Sequence, residues 1–187
     1  GYLTRLLSLR HAQTDSAFIT CREDIYDDCW ASMDTLFPGE RRVTPQPGDT
    51  VMIDTAAFVW REKFDSNGVW LSSLYDLETK SSEMEVRQYF AAYFGIYIYN
   101  DAPRPARLKI RHDDGVMVLR NDSILFRHEG WTERDFEDPS ELFTLQAGWT
   151  KFVFKLVNND YLSQFAVRFV DTTYSEIREN DLFPGAP

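Results

Sequence analysis

From Glu83 to Tyr99 hydrophobic and polar positions alternate. The even positions are Met84, Val86, Gln88, Phe90, Ala92, Phe94, Ile96 and Ile98, and the odd ones run from Glu83, Glu85 and Arg87 to Tyr89, Ala91, Tyr93, Gly95, Tyr97 and Tyr99. A period of two held this long predicts one very long strand, or two joined at a bulge, with the even face in the core. The odd face starts charged and becomes a tyrosine stripe. Such a stripe is either the half-buried second face of a sheet or an aromatic ligand platform, and packing is the commoner use of side chains with an apolar body and a polar tip.

Shorter runs follow at close intervals: Ala106 to Arg111, Val116 to Arg120, Ile124 to His128, Leu142 to Gln146, Trp149 to Val157 and Gln164 to Val170, with an earlier one from Thr50 to Asp54. Each is bounded by Gly, Pro, Asn or Asp, the punctuation of a sandwich or barrel. Phe152, Phe154 and Leu156 share one face, as do Phe165, Val167 and Phe169, so the two sets should meet in the core. Asn158-Asn159-Asp160 between them favours a hairpin, and Asn121-Asp122 a turn joining two successive strands. Asp113-Asp114-Gly115 also reads as a hairpin turn, with Gly chosen for its free φ.

Residues 1–49 are less regular. Tyr2, Leu3, Leu6 and Leu7 have helical spacing, as do Ile25, Cys29, Trp30, Met33, Leu36 and Phe37 before Pro38-Gly39, and these predict short helical turns. The expected architecture is all-β: a two-sheet antiparallel β-sandwich with short helical turns in its N-terminal part. No internal repeat appears, so residues 1–187 are expected to form a single module, with residues 183–187 reading as the start of a linker.

Composition sharpens this picture. Aromatics reach 15%, with 14 Phe, 9 Tyr and 5 Trp, which suits strands and contact surfaces. The net charge of -10 repels a phosphate backbone, so nucleic acid is not an expected partner, and no apolar run approaches the length of a membrane span. Cys21 and Cys29 are either a disulfide, stabilising by about 2–3 kcal/mol through a short closed loop and implying export, or two inert thiols.

Catalysis is not expected. His11, His112 and His128 are scattered and lack metal-site spacing, and the chain holds no phosphate-cradling glycine loop and no nucleophile elbow. His112 and His128 read as surface or packing residues near strand ends.

Tyr93 to Ile98, then HDDGVMVLRNDSILF from His112, then LQAGWTKFVFKL from Leu145, then FAVRF from Phe165 together resemble the galactose-binding-domain-like jelly rolls attached to bacterial glycosidases and polysaccharide lyases. The likeness spans roughly the second half of the chain and rests on the order of its motifs; it implies that Trp149, which sits where the family packs its hairpin, belongs to the core, and Trp60 is assigned there likewise. Three departures stand out: Asp122 in place of a turn glycine, Thr150 in place of an asparagine, and the link from Asn158 to Ser163 in place of a glycine-rich one. A second resemblance, in similar order, is to the protective-antigen-type β-sandwich lectin domains of fungal adhesins and bacterial glucosidases. In those, an Asp-Asp pair joined by an unusual peptide bond holds a calcium ion that binds sugar hydroxyls. This second resemblance implies a calcium site at Asp113 and Asp114, with Asp101, Asn121 and the acidic run from Glu133 to Asp138 as further oxygen donors.

The resemblances imply a noncatalytic carbohydrate-binding module of an exported multidomain bacterial protein, extracellular or at the cell surface, that brings polysaccharide to an attached catalytic domain. A structural module that packs on a neighbouring domain and binds no sugar is the alternative, and it requires a large exposed apolar patch. Sugar recognition needs aromatic faces and hydroxyl-bonding side chains on loops. Trp131 fits best, following Gly130 and opening the polar loop that contains Arg134; Trp70 and Tyr161, each beside turn residues, come next.

Overall fold

The computed structural model describes residues 5–10, 19–21, 29–31, 33, 35–53, 56–64, 69–70, 90–112, 114–129, 137–158, 164–173 and 182–183. Strands dominate them. The larger sheet has seven, in the order β11 (Ser123–His128), β10 (Gly115–Arg120), β14 (Gly148–Asn158), β8 (Phe90–Asn100), β1 (Arg5–Arg10) and β6 (Arg61–Phe64), with β16 (Leu182–Phe183) also on β8. A five-stranded sheet runs β12 (Glu137–Pro139), β9 (Arg104–His112), β15 (Gln164–Val170) and β7 (Val69–Trp70), with β13 (Phe143–Leu145) also on β9. Two small hairpins, β2 (Ile19–Cys21) with β3 (Cys29–Ala31) and β4 (Thr50–Ile53) with β5 (Ala56–Val59), complete the set. All described pairings are antiparallel.

The period-two pattern sorts the core. Ala92, Phe94, Ile96 and Ile98 of β8 and Phe152, Phe154 and Leu156 of β14 face Leu108 and Ile110 of β9 and Phe165, Val167 and Phe169 of β15 in one buried cluster. The ring of Phe94 stacks on that of Phe165 with centroids 4.9 Å apart, and Phe152 meets Phe169 edge-on at the same separation. The two phenylalanine sets do meet in the core, but the link between them is not a hairpin. β14 pairs with β8 and β10, whereas β15 pairs with β9 and β7, so the chain crosses from one sheet to the other between them. Asp113-Asp114 is likewise a crossing link, from β9 to β10, and not a hairpin turn.

At Asn121-Asp122 the expected two-residue turn is present. Arg120 faces Ser123, and both turn residues are left-handed, with φ of 48° and 72°. Asn and Asp tolerate that conformation better than other residues with a Cβ. The neighbouring strand braces it: the Lys151 N–H donates to Asn121 Oδ1 at 2.9 Å, and Lys151 Nζ lies 2.8 Å from Asp122 Oδ1.

The second face of the larger sheet is covered by residues 33–60. Met33, Leu36, Phe37, Ile53 and Trp60 form a buried cluster with Ala91, Tyr93, Met117, Leu119, Val153 and Val157. Here two tyrosines of the stripe and one lysine act as anchors. The Tyr93 hydroxyl donates to the Glu40 carboxylate, the Tyr97 hydroxyl donates to the Pro45 carbonyl at 3.1 Å, and Lys151 Nζ donates to the Val43 carbonyl at 2.6 Å. Burial, then the charge and hydrogen bond of Glu40, hold the Tyr93 hydroxyl well above its usual pKa; burial, then Asp49, pushes Tyr97 up to about 12. Gly95 lies between the two tyrosines because a Cβ there would sit 2.9 Å from Pro45 Cγ.

The helical spacing near the N-terminus is overturned. Arg5–Arg10 pairs with β8 through Leu7↔Gly95 and Leu9↔Tyr93, and Cys29–Ala31 is a strand with Cys21 opposite Cys29. A 3-10 turn at Glu40–Arg42 follows Pro38-Gly39, and residues 22–28, 32 and 34 of the second stretch lie outside the described residues. The edge of the long strand β8 offers unpaired backbone groups, and satisfying them outweighs a local pattern of weak propensity. Trp149 is also corrected: it shares the odd face of β14 with Lys151 and Lys155, beyond the reach of the covering segment, and is 38% exposed. Trp60 is buried as expected.

Candidate functional site

Strand register brings the described strand ends that flank the sequence-predicted site residues to one end of the sandwich. His112, the last residue of β9, faces Phe165, and Gly115, the first residue of β10, faces Val157. Trp70 faces Gln164, Glu137 faces Arg111, and Val116 faces His128. The described strand ends that flank residues 113, 130–136 and 159–163 therefore share this end with Trp70 of β7. Trp131, Arg134, Tyr161 and Asp113 themselves lie outside the described residues, as does the Trp70 side chain.

The link at Asp114 is held from below. Asp114 is 2% exposed and left-handed, with φ of 59°. His112, fully buried, places Nδ1 2.6 Å from the Asp114 carbonyl oxygen. A carbonyl only accepts, so Nδ1 carries the hydrogen and donates. The His112 ring lies 5.3 Å from that of His128 and 6.5 Å edge-on from that of Phe126. Gly115 follows Asp114 for room: a Cβ would meet Met33 Cε at 2.6 Å and Val157 Cγ2 at 2.7 Å. The left-handed residue expected at the glycine is thus the aspartate before it. The sequence alone suggests only a surface or packing role for His112; its place on the core-facing parity of β9, next to the acidic pair, is the signal for a supporting role.

Asp101 and Asn121 do not belong to this end. Asp101 follows the far end of β8, and Asn121 lies a full strand length from Asp114, where its Oδ1 is taken by the Lys151 N–H. Among the described residues no three His, Cys, Asp or Glu side chains are grouped as metal ligands. The donor set that remains is oxygen-rich: the Asp114 carboxylate, Asp113 beside it in sequence, and the acidic run that enters β12. Such donors suit a hard cation, while the nearest imidazole nitrogen of His112 is already committed to the Asp114 carbonyl.

The β-sandwich is similar to those of several solved domains. Over all of this chain and 94% of its own length, the PA14 domain of the MpAFP antifreeze protein aligns with a TM-score of 0.54 and 10% identity. The epithelial adhesin 9 A domain from Candida glabrata, solved in complex with Galb1-3GlcNAc, aligns over 95% of this chain and 86% of its own, with a TM-score of 0.51 and 13% identity. A β-glucosidase from Kluyveromyces marxianus aligns over 94% of this chain at a TM-score of 0.51 and 11% identity, and this chain spans 17% of that enzyme's length. No family model and no curated protein matches the sequence.

Proposed function

We propose that this chain is a noncatalytic carbohydrate-binding β-sandwich module that takes an oligosaccharide or polysaccharide at the end of the sandwich where the sheets exchange strands. The observation that carries this is the register that brings Trp70, Asp114 and the flanks of Trp131, Arg134 and Tyr161 to one end. Aromatic rings there stack on the apolar face of a pyranose, and the guanidinium of Arg134 bonds its hydroxyls. Support comes also from the shared fold with an adhesin domain solved with a disaccharide and with a PA14 domain. Asp113 and Asp114 hold a calcium ion in this proposal, with further oxygens from the run before β12 filling its shell. The module belongs outside the cell, on an exported multidomain protein, where modest affinity suffices to concentrate an attached enzyme on its polysaccharide. A glycan array probed with the purified chain tests the proposal. At least one plant or microbial glycan should be retained, and Trp131→Ala should weaken retention about tenfold; no retention across the array refutes it.

A further inference from the structure

The small hairpin of β2 and β3 brings the two cysteines of the chain into one rung. Its pairs are Ile19↔Ala31, Thr20↔Trp30 and Cys21↔Cys29, so the cysteines form the rung next to the loop 22–28. Directly opposed residues on an antiparallel ladder share one face of it, and their Cα atoms lie about 4.5 or 5.5 Å apart according to the kind of rung. Both separations fall inside the roughly 4.4–6.8 Å that a disulfide spans. A hairpin this short is marginal by itself. Its loop, Arg22-Glu23-Asp24-Ile25-Tyr26-Asp27-Asp28, supplies no glycine, proline or asparagine to set a tight turn, and its four carboxylates repel one another. The strands pair nonetheless, and among the described residues they pair with each other alone. The hairpin is also tied to the core: β3 lies against β14, and Met33, two residues past β3, is 4% exposed in the cluster beneath the covering segment.

We infer that Cys21 and Cys29 form a cross-strand disulfide that clamps this hairpin at the base of its loop. Two S–H bonds break and one S–S bond forms. The two electrons and two protons pass to a disulfide oxidant such as oxidised glutathione, which leaves as two thiols. Closing the loop removes entropy from the unfolded chain, and the tie through Met33 to the core passes that gain to the whole sandwich. Such bonds form and persist in oxidising compartments, so the clamp marks an exported chain. It is independent of what the loops at the end of the sandwich bind.

The test is the intact mass of the whole chain after equilibration in mixed oxidised and reduced glutathione, denaturation and alkylation with iodoacetamide. A monomer without adducts is expected, and a monomer with both cysteines alkylated once dithiothreitol precedes the alkylation. Dithiothreitol should also lower the Tm of the folded chain by roughly 5–10 °C. Cys21→Ser combined with Cys29→Ser should reproduce the lower Tm and abolish its response to the reductant. Alkylation without reductant, a mixed disulfide with glutathione or a disulfide-linked dimer overturns the bond. A bond whose reduction leaves the Tm unchanged overturns its role as a clamp.

Discussion

Lys155 sets its Nζ 2.8 Å from the Glu40 carboxylate, with both side chains 1% exposed. The pair fastens the covering segment to the middle of the larger sheet, and the Tyr93 hydroxyl closes it by donating to the same carboxylate. An ion pair this deep contributes little net stability, because desolvation offsets attraction, but breaking it strands a buried charge. Lys155→Met alone should therefore cost about 3–5 kcal/mol in urea unfolding. Lys155→Met with Glu40→Gln should recover most of that, since no charge remains buried and the new amide oxygen still accepts from Tyr93. A double variant as unstable as the sum of its singles would remove the pair from this role.

Alkaline pH should act on the same face. Tyr97 is pushed up to about 12 and Tyr93 is raised well above 10, so between pH 10 and 12 the unfolded chain releases phenolic protons that the folded chain keeps. Stability falls with rising pH wherever the folded state binds more protons. The contribution of both hydroxyls is thus complete below pH 10 and lost as pH rises through the folded values. Urea midpoints followed from pH 8 to 12 should decline only above pH 10, and less steeply in Tyr97→Phe; an equal slope in that variant would count against the assignment.

Gly95→Ala tests the seat of the covering segment. The added methyl would lie 2.9 Å from Pro45 Cγ and 3.2 Å from Pro45 Cβ, an overpacking expected to cost about 1–3 kcal/mol. Because Pro45 supplies the clash, Pro45→Ala should relieve part of it, and the two substitutions should couple in a double-mutant cycle. Strictly additive effects would show that the segment does not rest on this glycine.

These positions explain what was legible beforehand. Alternation along β8, β9, β14 and β15 fixed which side chains are core, because side-chain parity is local. What parity cannot show is which sheet a strand joins, so Asp113-Asp114 and Asn158-Asn159-Asp160 read as hairpins when both are crossings. Tyr93 and Tyr97 of the tyrosine stripe pack as expected, while Tyr99 is 41% exposed; the partners of the first two, Glu40 and Pro45, lie 53 and 52 residues away and have no mark in the pattern. Trp149 misled because its exposure depends on where the covering segment stops. The sequence offers the candidate site residues only as residue types on loops, and it is the register that brings the strand ends flanking those loops to one end.

Asp114 is the residue on which the proposed calcium site turns, and its backbone helps to isolate the carboxylate. Its φ of 59° favours Asp or Asn over other side chains with a Cβ, and its carbonyl accepts from His112 whichever of the two is present. Asp114→Asn therefore keeps the turn and removes a negative oxygen ligand. Calcium at a hundredfold excess over its dissociation constant should stabilise the parent chain by about 2.7 kcal/mol, or a rise in Tm of roughly 5–11 °C for a chain of this size. Asp114→Asn should lose that rise. Magnesium, which demands a tighter octahedral shell, should shift the parent far less. A parent chain indifferent to millimolar calcium would eliminate the metal from the proposal and leave sugar recognition to the aromatic and polar side chains of the loops.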